Sequence, residues 1–240
     1  MPVLIMKVSV LEAYYQADLF GKTIFILLFG LSVASWIVMI YKMRLTSKAK
    51  KEALQFEIAF ESQKENLLTL KTEHYAVYFN PYAQIFEMVK NKTLDLLKKN
   101  NFFAENKEGA YLSTADIGLL ESQVESTISS QIKVLEKHLF ILATAITLAP
   151  FLGLLGTVWG ILITFTGLQS HAFASSNAAV LAGISMALAT TVIGLVVAIP
   201  ALIAYNYLKN SVREFTKDMH HFSHKVLSLF EIQYRRVEKK

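Results

Sequence analysis

Residues 139–208 read LFILATAITLAPFLGLLGTVWGILITFTGLQSHAFASSNAAVLAGISMALATTVIGLVVAIPALIAYNYL, 70 residues without a single Asp, Glu, Lys or Arg. A hydrocarbon core about 30 Å thick takes roughly 20 apolar residues per helical span. The stretch therefore holds two spans joined by a turn. The turn is 169–177, polar, uncharged and rich in small residues. Both spans are unusually full of Gly, Ala and Thr, and each carries one proline, Pro150 and Pro200. That composition belongs to helices packed on other helices, with little of their surface left to lipid.

Outward from this stretch, Thr23 to Tyr41 is uncharged for 19 residues and rich in Ile, Leu, Phe and Val. It reads as a first span able to face lipid over much of its circumference. Gly30 and Ala34, four apart, mark the side that would touch a neighbour. Residues 1–22 have the pattern of an amphipathic segment at the membrane surface, with Tyr14, Tyr15 and Phe20 as anchors. Lys42, Arg44, Lys48, Lys50 and Lys51 follow the first span, Lys209, Arg213 and Lys217 follow the last, and the 169–177 loop has no basic residue. The positive-inside rule then gives one consistent topology. The expected order is 1–22 outside, 23–41 spanning, 42–137 cytoplasmic, 138–168 spanning, 169–177 outside, 178–208 spanning and 209–240 cytoplasmic.

Residues 42–137 contain 14 basic and 13 acidic residues. Helical periodicity recurs in Glu52–Leu70, Tyr82–Lys99 and Ser113–Lys137, with Pro81 and the polar run 100–109 as breaks. Ser113 to Asp116 offers N-caps for the third segment. The second span is expected to begin as a long helix below the membrane, and the third to continue through 209–240. The fold class is all-α: a membrane protein with three transmembrane helices, the second and third extended into the cytoplasm, and a helical cytoplasmic loop.

At about 100° per residue, Ala149, Gly153, Gly156, Gly160 and Gly167 fall on one line of the second span, with Thr164 beside them. Gly183, Ala187, Thr190, Gly194, Ala198 and Ala201 do the same on the third. The packing residues are therefore Gly153, Gly156, Gly160, Gly183, Ala187 and Gly194. Such faces suit packing within a subunit, and their presence on both helices favours repeated assembly around a shared cavity. Thr157 and Thr191 stand about 80° from their stripes by the same geometry, and Thr190 lies on its stripe. A membrane threonine commonly bonds its own preceding carbonyl; the other reading is a hydroxyl facing a wet cavity, donating and accepting along a proton pathway. Pro150 and Pro200 leave the carbonyls of Ile146 and Val196 without their usual donors and are expected to kink the helices.

Several functions are excluded or disfavoured. The chain has no cysteine, which removes disulfides, thiolate metal sites and cysteine nucleophiles. The aromatics are not interleaved with Arg and Lys, so nothing points to nucleic acid. His220, His221 and His224 lack a completing ligand, so no metal site is expected, and no cofactor. No nucleophile–base set suggests an enzyme. No span holds a titratable carboxylate, although intramembrane acids usually mark ion pathways. If the chain conducts protons, another polypeptide carries them.

The run Ala149–Ile161, APFLGLLGTVWGI, resembles the second-span motif of the TolQ/ExbB/MotA family. The run Gly183–Ala201, followed by Ala204-Tyr205-Asn206, resembles its third-span motif. The first span, through Phe29–Trp36, looks more like the TolQ branch than the ExbB branch. The resemblance implies a homopentamer in the bacterial inner membrane. One-span TolR/ExbD-like helices would sit in the pore and carry the proton-binding aspartate, with a TolA/TonB-like protein as a further partner. It implies pore-facing roles for Thr157 and Thr191 by motif position. Many members have Glu where this chain has Met186, and that role is not carried over. The expected function is a proton-channel subunit of a Tol–Pal-like motor. The alternatives are an ExbB-like energiser of outer-membrane transport and a non-conducting scaffold.

Overall fold

The computed structural model describes residues 14–15, 17–63, 67–68, 70, 72, 79–103, 111–169 and 177–234. The amphipathic pattern expected over 1–22 falls mostly on 1–13 and 16, outside the described residues, as do 170–176 of the expected 169–177 loop. The elements are helices: α1 Leu19–Ser62, α2 Pro81–Phe103, α3 Thr114–Glu136, α4 Leu139–Gln169 and α5 Asn177–Tyr234. Three of them, α1, α4 and α5, are long and apolar enough to cross a membrane. The chain divides into two compact units, Met1–Tyr41 with His138–Tyr207, and Lys42–Lys137 with Leu208–Lys240.

The all-α class holds, with two differences in detail. The first span also runs on: α1 continues from the span through the basic cluster to Ser62, where a separate segment starting at Glu52 was expected. Residues 42–62 contain no Gly or Pro and are rich in Lys, Ala, Leu and Glu, so nothing stops the helix. The second span does not begin as one unbroken helix. The chain leaves helical geometry at Lys137 and His138, where His138 adopts a left-handed φ of 71°. The last carbonyls of α3 are already taken, because Lys42 Nζ donates to Val134 O at 2.9 Å and Leu135 O at 3.0 Å. A buried lysine thus caps the C-terminal end of α3. Its desolvation, and then the nearby Lys137 charge, hold its ammonium below the usual lysine range.

The charged unit, the second of the two, is built on an aromatic core. Phe56, Phe60, Phe86, Phe222 and Phe230 are fully buried, and the Tyr82 ring stacks on Phe222 with centroids 4.2 Å apart. In the part of α5 that belongs to this unit, Val212, Phe215, Met219, Phe222, Val226 and Phe230 are buried, in steps of three and four along one face. Burial raises the Tyr82 phenol above its ordinary value, with Glu57 and Asp218 adding to the effect. Local starts are well specified. Asn80 caps α2, accepting Ala83 N–H at 3.2 Å, with Pro81 in the first helical position. Ser113 and Asp116 form a reciprocal capping box at α3.

The apolar unit, the first, has few large buried side chains. Ile24 and Leu28 of α1 pack with Ala149, Val197 and Ala198. Ala17 and Phe25 pack with Met186. Gly30, expected to mark a contact side, faces open space: a Cβ placed on it would meet no other side chain or helix within 4 Å in this chain. The bulky residues of α4, among them Phe151, Leu154, Val158 and Phe165, are exposed, which is the arrangement lipid or another apolar surface satisfies.

Candidate functional site

The two small-residue faces pack against each other. A Cβ on Gly153 would stand 3.0 Å from Thr190 O and 3.0 Å from Thr191 Cα. One on Gly160 would stand 3.0 Å from Ala187 Cβ and 3.1 Å from Gly183 O. One on Gly194 would stand 2.6 Å from Ala149 O, and one on Gly156 2.7 Å from Thr190 Cβ. Gly183 lies against Thr164 Oγ1, whose hydroxyl bonds Gly160 O at 2.8 Å. The stripes are therefore used up inside one chain. They account for the close approach of α4 and α5, as the reading of packing within a subunit expects. Periodicity shows which face a helix presents; it does not show which helix covers it.

Because the backbones come this close, a carbonyl of α4 is within reach of hydroxyls on α5. Thr190 Oγ1 donates to Ala187 O at 2.8 Å and lies 3.4 Å from Gly153 O. Thr191 Oγ1 donates across the interface to Gly153 O at 3.1 Å. Thr157 Oγ1 reaches Gly153 O at 3.0 Å and Ala187 O at 3.4 Å. The hydroxyls of Thr157 and Thr191 also bond each other directly. So Thr157, Thr190 and Thr191 form one cluster around the Gly153 carbonyl. Thr157 and Thr190 satisfy the bland expectation of bonding their own helices, whereas Thr191 does not. Thr190 is fully buried, and Thr157 and Thr191 are half-buried.

Chemically, the cluster can pass a hydrogen bond from one hydroxyl to the next, since each both donates and accepts. It cannot hold a charge, and residues 139–207 offer no Asp, Glu, Lys or Arg to do so. Pro150 and Pro200 lie inside α4 and α5, and both helices continue through them. Elsewhere, His220 Nδ1 lies 3.3 Å from Glu125 Oε1. Among the described residues no group of three or more His, Cys, Asp or Glu side chains gathers to hold a metal.

Two placements were not readable in advance. Met186 is buried against the first turn of α1, where a Cβ on Gly21 would collide with its methyl group. Asp18, the residue before α1, accepts the indole N–H of Trp159 at 3.0 Å. An Asp before an apolar run is a recognisable N-cap signal, but its meeting with a tryptophan 141 residues away is not local information.

Comparison with known proteins follows the same lines. Residues 95–221, more than half of the chain, match the MotA/TolQ/ExbB proton channel family. The Tol-Pal system protein TolQ of Haemophilus influenzae is 29% identical over 224 residues, covering 90% of this chain and 91% of that protein. The biopolymer transport protein ExbB of Salmonella typhimurium is 29% identical over 224 residues, covering 92% of this chain and 86% of that protein. Over a shorter stretch, the TolQ of Pseudomonas aeruginosa is 49% identical across 79 residues, 33% of this chain and 34% of that protein.

Proposed function

The chain belongs to the MotA/TolQ/ExbB proton channel family, and from that premise we propose that it is the proton-channel subunit of an inner-membrane motor of the Tol–Pal type. The observation that carries this reading is the hydroxyl cluster of Thr157, Thr190 and Thr191, set in two helices that contain no titratable acid. Such a surface can solvate and hand on a proton but cannot store one. The stored proton then belongs on a carboxylate of a TolR/ExbD-like one-span partner running beside this cluster. The near full-length likeness to a TolQ supports the Tol–Pal assignment. On this reading the chain is a three-span inner-membrane protein with 1–22 periplasmic and 42–137 and 209–240 cytoplasmic. It works as a homo-oligomer, a pentamer by resemblance to its family, and passes force to the envelope through a TolA-like protein. One elementary charge crossing 100 mV releases about 2.3 kcal/mol to drive it.

The test is a pair of isosteric changes. Thr157→Val and Thr191→Val should leave the complex assembled with its one-span partner, as counted by native mass spectrometry, while proton-driven activity is lost. Intact envelope function with both hydroxyls gone would favour a non-conducting scaffold. Robust proton flux through the purified chain without a partner would remove the partner's carboxylate from the mechanism. The second reading, an ExbB-like energiser of outer-membrane transport, is favoured by the equally long likeness to an ExbB. Which one-span protein co-purifies, and whether envelope integrity or receptor-dependent uptake fails on deletion, separates the two.

A further inference from the structure

A recess of about 530 Å³ opens in the charged unit, between α1, α5 and the first turn of α2. Its wall holds one polar group that the fold leaves unused. Tyr82 is only 6% exposed, and its ring is fixed by stacking on Phe222 and Phe215. Among the described residues its hydroxyl has no hydrogen-bond partner, although a buried phenol ordinarily finds one. Acceptors are not lacking. After burial itself, the charges of Glu57 and Asp218 both bear on this phenol and raise it. The two carboxylates stand around the hydroxyl without bonding it, and both line the same recess.

Each carboxylate has capacity left. Glu57 meets Lys225 through Oε1 alone, at 3.4 Å, and Lys225 also pairs with Glu61. Asp218 makes no hydrogen bond or ion pair among the described residues. Seven residues before Glu57, Lys50 lies 3.9 Å from Glu214. The recess and its ion-pair partners thus set four acids, Glu57, Glu61, Glu214 and Asp218, against Lys50 and Lys225, with His221 as the remaining titratable wall residue. The excess is negative and favours a cation over a water molecule.

The walls narrow the class of cation. Ala53 and Leu54 of α1 line the space beside the aromatic rings of α5, and Leu54 is exposed, so an aliphatic body has apolar surface to cover. A calcium or magnesium ion takes about six oxygen ligands or more, and the described residues gather no such set. An ammonium has three donors and no acceptor. That matches the unused carboxylate oxygens of Glu57 and Asp218 together with the phenol oxygen of Tyr82.

We propose that this recess binds a primary alkylammonium group, its nitrogen among Glu57, Asp218 and Tyr82 and its chain along Leu54. The group is carried by a free amine or by a lysine side chain of another polypeptide. The site lies wholly within the charged unit and does not depend on whether the threonine cluster conducts.

The full-length protein in nanodiscs is titrated with n-butylammonium chloride, and the ligand is followed by saturation-transfer NMR with empty nanodiscs subtracted. The expected result is saturable binding, weakened about fivefold by Asp218→Asn and about threefold by Tyr82→Phe. Neither n-butanol nor magnesium chloride at matched ionic strength should compete. Asp218 is exposed, and Tyr82→Phe keeps the stacked ring, so both variants should show the thermal melt of the unaltered protein. A blocked Gly-Lys-Gly tripeptide is titrated in parallel. Tighter binding of the tripeptide assigns the ammonium to a polypeptide and tighter binding of butylammonium to a free amine, and either result supports the site. No saturable binding, which would leave water as the occupant, displacement by n-butanol or magnesium, or an affinity unchanged in Asp218→Asn would overturn the proposal.

Discussion

The two units of this chain solve the same packing problem with opposite materials. The charged unit brings helices together with phenylalanine: Phe56, Phe60, Phe86, Phe222 and Phe230 are buried and in ring contact with one another or with Tyr82. The apolar unit brings α4 and α5 together with small groups, since Gly153, Gly156, Gly160, Gly183 and Gly194 meet only backbone, an alanine methyl and threonine side chains at the contact. The difference follows from the solvent each meets. In water, each large apolar side chain removed from the surface contributes roughly 1.5–3 kcal/mol. Lipid is as apolar as leucine, so bulk gains nothing there, and close backbone approach with hydrogen bonding is what remains.

The sharpest way to break this comparison is to thin the aromatic core. Phe222→Ala should cost about 3–5 kcal/mol, seen as lost amide-exchange protection along α2, while the α4–α5 packing is unchanged. Next in size is the opposite experiment, adding bulk where there is none. Gly156→Leu should cost about 1–3 kcal/mol by overpacking, measured by unfolding in mixed micelles. Gly30→Leu should cost nothing, because Gly30 faces open space in this chain. Equal costs at the two glycines would end the distinction between a used and an unused small residue.

A third change concerns the charged unit's helix starts. Burial alone would raise the Asp116 carboxyl, but hydrogen bonds from the Ser113 N–H, the Asn100 amide and the Ser113 hydroxyl, with Lys99 nearby, hold it below its ordinary 3.8. A lowered carboxyl stabilises the fold in full above that ordinary value, and the contribution is lost as pH falls through the folded-state value. Asp116→Ala should cost about 1 kcal/mol at neutral pH, and the gap to wild type should close on acidification, read by chemical denaturation. The smallest expected effect on stability is at the hydroxyls. Thr157→Val should cost only about 0.6 kcal/mol, the average for a hydrogen bond between membrane helices. A large loss there would mean that the cluster is mainly structural.

Much of the fold was legible because charge is so unevenly spread. Two uncharged runs, 23–41 and the 139–208 stretch long enough for two spans, are bounded by lysines and leave little choice about which helices are long and apolar. Ser113, Asp116 and Pro81 announced where α3 and α2 begin, because capping is local chemistry. What escaped was the tertiary part. Lys42 read as one of five basic residues setting orientation, yet its ammonium is buried on the carbonyls of Val134 and Leu135, 92 and 93 residues away. That bond accompanies the left-handed His138, a break no glycine or proline advertises. At the site, the threonines and the small-residue faces were visible from spacing. Their mutual contact, and the pairing of Asp18 with Trp159, required knowing which surfaces meet.

The carbonyl oxygen of Gly153 has two lone pairs and three threonine hydroxyls within 3.4 Å of it. That surplus makes the arrangement degenerate. Thr157 can donate to Thr191 while Thr191 donates to the carbonyl, or Thr191 can donate to Thr157 while Thr157 donates to the carbonyl. Swapping one setting for the other takes two hydroxyl rotations and moves no heavy atom. A row of this kind has no built-in polarity: its own geometry favours neither direction of the hydrogen-bond chain.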